Sequence, residues 1–182
     1  VTGWFSANQA TGAGIEVVPV ETALHLQGEM TRRAPDHDVV VMVAAVADFR
    51  PAEYAASKIK KTHDPAGPDA APTIQLVRNP DVLAGLVEAR GCATSPVIVG
   101  FAAETGDATG SVLELGRAKL ARKGCDLLVV NEVGVDKTFG ADDTTVHVLR
   151  RGSDDVVDIG PASKTEVSHG IWDVVVGSVV AD

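Results

Sequence analysis

The sequence predicts an α/β protein with a mostly parallel β-sheet. Apolar runs rich in β-branched residues alternate along the chain with amphipathic segments of helical period, which is the pattern of a parallel sheet covered by helices. The chain has 182 residues, 45% of them hydrophobic and 23% charged, which is enough for one well-packed core. We therefore expect a single domain over residues 1–182 and exclude a disordered chain, a collagen and a coiled coil.

Six apolar or alternating runs predict the strands. The run over 38–47 is apolar almost throughout, which is typical of a central strand buried on both faces. The run over 144–149 alternates and lies outside the parallel pattern, so we expect an antiparallel extension near the C-terminus. In chain order the predicted strands span 15–20, 38–47, 73–78, 97–101, 126–130 and 144–149.

Capping residues mark the ends of the predicted helices. Thr22 and Asn79 are favoured N-caps, and Pro80 suits the first position of the helix that follows Asn79. Gly124 predicts a left-handed C-cap. The helices are expected over about 22–33, 79–90, 111–123 and 163–181. One apolar face of the last helix carries Val167, Ile171, Val174 and Val175.

The overall charge excludes several classes of partner. Sixteen basic and 25 acidic residues give a net charge of −9, which disfavours binding to nucleic acid polymers or anionic membranes. The longest apolar run, 39–47, is too short to span a membrane, and the chain does not open with a signal peptide. Cys92 and Cys125 lack the spacing of a metal site and are expected to be reduced thiols. We therefore expect a cytoplasmic protein.

Two basic clusters run against this acidic average. Lys58, Lys60 and Lys61 fall within four residues, directly before a proline-rich segment over 63–72 that we predict to be a mobile flap. The predicted helix over 111–123 holds its four basic residues against a single acid. Both clusters could be solvated surfaces, but together on a parallel α/β pattern they favour a small phosphate-bearing ligand.

The carboxyl ends of the strands are the expected place for that ligand. Loops begin there at Asp48, Phe101 and Asn131. The first turn after Asn79 should offer free backbone N–H groups to a phosphate, unless Asp81 satisfies them itself. Asp48, with lysines nearby, could hold Mg²⁺ against a triphosphate or could be a simple turn residue.

One short motif suggests a different activity. Tyr54 and Lys58, in the sequence YAASK, stand one helical turn apart, as does the catalytic pair of short-chain dehydrogenases. That family also needs a glycine-rich cofactor turn between a strand and a helix, whereas the glycines at 12 and 14 precede a predicted strand. An NAD(P)-dependent short-chain oxidoreductase-like domain is therefore the alternative interpretation.

Six motifs in register together resemble one family over essentially the whole chain. That family is the bacterial phosphopantothenate–cysteine ligase, or phosphopantothenoylcysteine synthetase, which usually forms the C-terminal half of a bifunctional coenzyme A biosynthesis protein. The motifs are AAVADFRP at 44–51, KIKK at 58–61, NPDVL at 79–83, VGFAAET at 99–105, AKL with RKG at 118–124, and DLLVVN at 126–131.

The resemblance implies a Rossmann-like three-layer sandwich and a two-step reaction. The carboxylate of 4′-phosphopantothenate attacks the α-phosphate of CTP to give an acyl-cytidylate and pyrophosphate, and the amine of cysteine then displaces CMP. It also implies Mg²⁺, a homodimer, and fusion to or association with an FMN-dependent phosphopantothenoylcysteine decarboxylase.

The resemblance also assigns site residues. Lys58 is similar to the catalytic lysine that stabilises charge at the α-phosphate, and Ala44 to a position where the backbone approaches the nucleotide. Asn131 is a weaker candidate, chosen because it ends a strand. The other CTP-binding positions are Asp48, Pro80, Asp81, Val82, Leu83, Phe101, Lys119 and Lys123.

The sequence departs from the family pattern at its start. The family opens with a strand, a glycine-rich turn and an Asn-x-Ser-Ser-Gly segment, and no residue before Val1 corresponds to them. We therefore expect an N-terminally incomplete ligase domain. A chain that binds nucleotide without turnover remains a further possibility.

Overall fold

The computed structural model describes residues 14–55, 57, 73–105, 110–133 and 143–180. Within these ranges the chain forms a five-stranded sheet, a separate two-stranded sheet and four α-helices. The strands are β1 (Val39–Met42), β2 (Phe49–Pro51), β3 (Leu76–Arg78), β4 (Val97–Glu104), β5 (Leu127–Glu132), β6 (Asp143–Arg150) and β7 (Val156–Ser163). The helices are α1 (Ala23–Arg33), α2 (Val82–Arg90), α3 (Val112–Lys123) and α4 (Lys164–Val179), and a short 3₁₀ turn, Ala34–Asp36, follows α1.

The large sheet is mixed, with the order β1-β4-β5-β6-β7. Strands β1, β4 and β5 are parallel, whereas β6 and β7 add antiparallel to them as a C-terminal extension. The small sheet pairs β2 with β3 in antiparallel register. This architecture confirms the predicted α/β fold class with its antiparallel extension.

Helices cover both faces of the large sheet, which explains why β4 and β5 are buried and apolar over their first four residues. Ile98 and Leu128 belong to the core cluster that helices α1, α2 and α3 cover. Val99 and Val129, one residue further along the same strands, belong to the cluster that α4 covers. These four side chains are fully buried, so β4 and β5 form the middle layer of a three-layer sandwich.

Several predicted helix ends are confirmed by their capping contacts. The Thr22 side chain accepts a hydrogen bond from the His25 N–H at 3.1 Å. Gly124 ends α3 in the left-handed conformation, with a φ of 71°. Ser111 and Ser163 each form a reciprocal capping box with the glutamate three residues later, at the starts of α3 and α4.

The first two strand predictions need correction. Residues 15–20 are not a strand, and Ile15 and Val17 are 58% and 48% exposed. No described strand lies beside this segment to complete its backbone hydrogen bonds. The second strand, β1, ends at Met42 rather than at 47, and it is a half-buried edge of the described sheet rather than its centre.

Two strands, β2 and β7, were not predicted. β2 lies at the start of the polar stretch that follows Asp48. β7 contains Gly160 and Pro161, which interrupt the strand pattern, and its burial does not alternate. The predicted flap over 63–72 lies outside the described residues. None of the described helices is long and apolar enough to cross a membrane.

Candidate functional site

A pocket of about 620 Å³ opens beyond the end of β1. Its walls come from three places in the chain: the loop over 44–48, the segment over 78–83 at the start of α2, and the side of α3 that carries Lys119, Arg122 and Lys123. Phe101 and Leu128 line it from the sheet. It therefore lies at the carboxyl end of parallel strands, where α/β folds bind ligands.

The pocket gathers every described residue that the resemblance assigns to CTP. These residues are Ala44, Asp48, Pro80, Asp81, Val82, Leu83, Phe101, Lys119 and Lys123. Lys58 and the rest of its cluster lie outside the described residues. Asn131 does not line the pocket, and its side-chain oxygen accepts a hydrogen bond from the Thr144 hydroxyl at 3.3 Å.

Two of the three basic side chains of α3 that line the pocket form ion pairs. Lys119 pairs with Glu104 at the end of β4, and Lys123 pairs with Asp81 at the start of α2. Each carboxylate offsets the repulsion expected between lysines four residues apart on one helix face. Arg122 lies between them and has no hydrogen bond or ion pair within the described part of the chain.

Asp81, not Asn79, is the N-cap of α2. Its carboxylate accepts a hydrogen bond from the Ala84 N–H at 3.1 Å, so the helix begins at Val82 and Pro80 precedes it. Burial acts to raise the pKa of the Asp81 carboxyl, but its bonds to Lys123 and to Ala84 outweigh burial and hold that pKa below its ordinary value.

The first turn of α2 retains donors for an anion. Asp81 satisfies one N–H group of this turn, whereas those of Val82 and Leu83 have no hydrogen-bond partner among the described residues. Both residues line the pocket. The expected helix N-terminus is therefore present, two residues later than predicted.

Asn79 uses its side chain to join three segments. Its amide group donates to the Ala47 carbonyl oxygen at 2.8 Å and its oxygen accepts from the Arg50 guanidinium at 3.1 Å. Its backbone N–H donates to the Asp48 carbonyl oxygen at 2.8 Å. Arg50 also donates to the Arg78 carbonyl oxygen at 2.6 Å. The loop before β2 is thereby tied to the end of β3.

A second cavity of about 300 Å³ adjoins the first. It lies at the start of α1, where Thr22, Leu26 and Arg50 contribute to its lining. The two cavities share the loop wall and Asn79. Sequence reasoning did not predict this cavity, because it depends on how α1 packs beside a loop twenty residues later.

Arg78, Asn79 and Arg122 are pocket residues that were not among the predicted site residues. Arg122 was visible as part of the basic cluster on α3, and Asn79 was interpreted as a cap. Tyr54, by contrast, lies outside any helix, is 93% exposed and lines neither cavity. The described part of the YAASK motif therefore lacks the helical arrangement of a dehydrogenase pair.

The comparisons with known proteins agree on one family. Residues 1–178 match the family described as DNA/pantothenate metabolism flavoprotein C-terminal domain. The chain is 51% identical over 168 residues to the coenzyme A biosynthesis bifunctional protein CoaBC of Mycobacterium tuberculosis (strain ATCC 25618 / H37Rv). That alignment covers 90% of this chain but only 38% of the relative, so the chain spans little more than a third of that protein.

Solved structures give the same result. The crystal structure of the C-terminal domain of CoaBC superimposes with a TM-score of 0.66 at 25% identity, covering 91% of this chain and 66% of that one. A Cab2 mutant in complex with phosphopantothenate-cysteine shares the fold, with a TM-score of 0.65 at 20% identity, covering 90% of this chain and 52% of that one. The chain therefore belongs to the DNA/pantothenate metabolism flavoprotein C-terminal domain family, which confirms the family that its sequence resembles.

Proposed function

We propose that this chain is the CTP-dependent ligase unit of a coenzyme A biosynthesis protein, joining 4′-phosphopantothenate to cysteine. One observation carries the proposal: residues assigned to CTP from distant parts of the sequence line a single pocket. The names of the curated relatives support the pathway. The ligand in the Cab2 mutant structure, phosphopantothenate-cysteine, is the product class that this reaction would form.

The charge of the pocket suits a triphosphate. Among the described residues, four cationic side chains line it, those of Arg78, Lys119, Arg122 and Lys123, against the carboxylates of Asp48 and Asp81. The N–H groups of Val82 and Leu83 add donors at the positive end of α2. The volume of about 620 Å³ lies in the range of ordinary small-molecule sites.

Both proposed steps move negative charge around phosphates, so positioned cations should provide much of the catalysis. In the first step the substrate carboxylate bonds to the α-phosphorus of CTP and pyrophosphate leaves. In the second step the cysteine amine bonds to the acyl carbon, loses a proton, and CMP leaves. We assign Lys58 to the charge at the α-phosphate, and Lys119 and Lys123 to the outer phosphates.

Asp48 is the residue proposed to contact Mg²⁺. Its side chain is exposed in the pocket and has no ion-pair partner in the described ranges, so a carboxylate oxygen is available. The described residues contain no group of three acidic, histidine or cysteine side chains arranged for a metal. The cation would therefore complete its shell with phosphate oxygens and water, and it would neutralise triphosphate charge.

The partners of this unit are also proposals. A relative named as bifunctional, of which the chain spans 38%, supports fusion to the FMN-dependent decarboxylase of the same pathway. The homodimer is carried over from the resemblance, with the region around β6 as the proposed contact.

The test is pyrophosphate release from CTP by the full-length protein that contains this chain. Release should require 4′-phosphopantothenate, and Lys58→Ala should abolish it, because that change removes the cation at the reacting phosphate. Lys164→Ala is the matched control, because Lys164 is exposed at the start of α4, and this variant should retain activity. Release without 4′-phosphopantothenate, or equal rates for Lys58→Ala and the unchanged protein, would contradict the proposed reaction.

A further inference from the structure

The loop over 43–48 forms the wall between the two cavities, yet it has no regular secondary structure. It joins β1 to β2 and presents Asp48 to the larger cavity. A loop of this kind keeps one conformation only if specific contacts hold it, because ordering each backbone residue costs conformational entropy. The contacts that hold this loop therefore control the shape of the proposed nucleotide site.

Asn79 contacts this loop through one side-chain and one backbone hydrogen bond. Its amide N–H donates to the Ala47 carbonyl oxygen at 2.8 Å, and its backbone N–H donates to the Asp48 carbonyl oxygen at 2.8 Å. Both acceptors belong to the last two residues of the loop. Asn79 is half-buried and two residues before the α2 cap, so it fixes the loop relative to the donors of that helix.

The Arg50 guanidinium fixes the orientation of the Asn79 amide. It donates to the Asn79 side-chain oxygen at 3.1 Å and to the Arg78 carbonyl oxygen at 2.6 Å. With the oxygen engaged by Arg50, the nitrogen of the amide faces Ala47. Aspartate in place of Asn79 would keep the acceptor for Arg50 but would lack the donor for Ala47.

We propose that Asn79 is a positioning residue for the nucleotide site, acting through the loop over 43–48 and Asp48. This inference rests on the proposed function for its ligand, CTP, but its structural part is independent of that ligand. Asn79 sets the distance between the Asp48 carboxylate and the cations on α3 by holding the Ala47 and Asp48 backbone. Loss of its side-chain donor keeps the backbone bond to Asp48 but leaves the Ala47 carbonyl unpaired and loosens the loop there.

The experiment compares Asn79→Ala and Asn79→Asp with Gln75→Ala in the full-length protein. Gln75 is an exposed amide next to β3 that lines neither cavity, so its removal is the matched control. Two quantities are measured for each variant: the Kd of CTP by titration, and the backbone hydrogen exchange of residues 43–49 without ligand. Asn79→Asp preserves the side-chain size and serves if Asn79→Ala does not fold.

We expect both Asn79 variants to raise the Kd of CTP about tenfold and to accelerate exchange in the loop, because each loses the Ala47 hydrogen bond. Gln75→Ala should change neither quantity. A raised Kd with unchanged exchange would mean that Asn79 only contacts the ligand, and it would overturn the inference. Faster exchange with an unchanged Kd would overturn it as well, by making the role purely structural.

Failure of the proposed function is recognised separately. If the unchanged protein does not bind CTP, the nucleotide assignment is wrong. The exchange measurement then still decides whether Asn79 holds the loop, since it needs no ligand. Unchanged exchange in both Asn79 variants would overturn the inference in that case.

Discussion

The two ends of the parallel strands β4 and β5 use charge in opposite ways. At the amino end, Arg90 is only 3% exposed and bonds to the Asp126 carboxylate and to the Pro96 carbonyl oxygen, the latter at 2.8 Å. Asp126 also accepts from the Ile98 N–H at 2.8 Å and from Arg151 at 2.7 Å. The charges at this end therefore bind one another in a single network.

At the carboxyl end the charges surround an open cavity. The side chains of Lys119 and Lys123 are about a quarter exposed, at 27% and 23%. Both lysines lie on α3, and their carboxylate partners, Glu104 and Asp81, lie on β4 and at the start of α2. Arg122 makes no hydrogen bond or ion pair among the described residues. The amino end therefore resembles a structural ion pair, whereas the carboxyl end has charge available for a ligand.

This difference separates the expected effects of mutation. Changes at the amino end should lower the free energy of unfolding with little direct effect on ligand affinity. Changes at the carboxyl end should weaken ligand binding with little effect on unfolding. Substitutions at each end, with controls elsewhere, therefore test whether the two ends have separate roles.

The largest expected effect is on stability, from Arg90→Met. This change leaves the Asp126 carboxylate without its buried partner, and we expect the free energy of unfolding to fall by about 3 kcal/mol. Arg32→Met is the control, because Arg32 pairs with Glu29 at an exposed site on α1 and should cost less than about 1 kcal/mol. Urea denaturation measures the free energy of unfolding of both variants. Equal losses would show that the buried Arg90 pair stabilises the fold no more than the exposed Arg32 pair does.

A second effect is expected where α3 packs on the sheet. A Cβ added at Gly116 would lie 2.8 Å from Val130 Cγ2 and 3.0 Å from Leu149 Cδ1. Gly116→Ala should therefore lower the free energy of unfolding by about 1–3 kcal/mol and weaken CTP binding, because α3 carries both pocket lysines. Gly28→Ala on α1 meets nothing within 4 Å and should be stabilising. A stabilising Gly116→Ala would contradict this packing.

The pocket lysines should affect ligand binding, with a modest effect on stability. We expect Lys119→Gln and Lys123→Gln each to raise the Kd of CTP about tenfold, because each removes a charge-assisted contact to phosphate. The Asp81 carboxylate paired with Lys123 is 46% exposed, so Lys123→Gln should change the free energy of unfolding by less than about 1 kcal/mol. The Glu104 carboxylate paired with Lys119 is only 16% exposed, so Lys119→Gln should cost somewhat more, about 1–2 kcal/mol. Lys164→Gln is the control for charge alone. If neither pocket variant changes the Kd, the basic face of α3 is only solvated.

The smallest effect is a dependence of stability on pH at Asp81. Its folded-state pKa lies below the ordinary value of 3.8, so the ionised carboxylate stabilises the fold above that pH. The contribution is lost as the pH falls through the folded-state pKa. Asp81→Asn keeps a good N-cap but not the charge, so its difference in unfolding free energy from the unchanged chain should shrink below pH 3.8. A constant difference across that range would contradict the pairing with Lys123.

The parts of the fold predicted correctly are those with strong local signals. Thr22, Ser111 and Gly124 mark helix ends through their own chemistry, and the apolar runs of β4 and β5 reflect burial on both faces. The failures depended on distant contacts. Residues 15–20 have a strand pattern but no described neighbour to pair with, and β7 is a strand because β6 lies beside it.

The site followed the same rule. Motif resemblance gave nine of the residues that line the large cavity, because those residues are recognisable in the sequence itself. The hydrogen bond from Asn79 to the loop at Ala47 was missed, because asparagine is equally suited to capping a helix and to bonding the backbone of a distant loop. The carboxylate partners of Lys119 and Lys123 were missed as well, since the fold brings Glu104 and Asp81 to α3 from other elements.

The most direct test of the central claim is a thermal-unfolding panel of the full-length protein with nucleotides. CTP with Mg²⁺ at a hundred times its Kd should raise the Tm by roughly 5 °C or more, because a ligand that binds only the folded state stabilises it. NAD and NADP should leave the Tm unchanged. A rise with NADP and none with CTP would contradict the proposed nucleotide site and favour the oxidoreductase alternative.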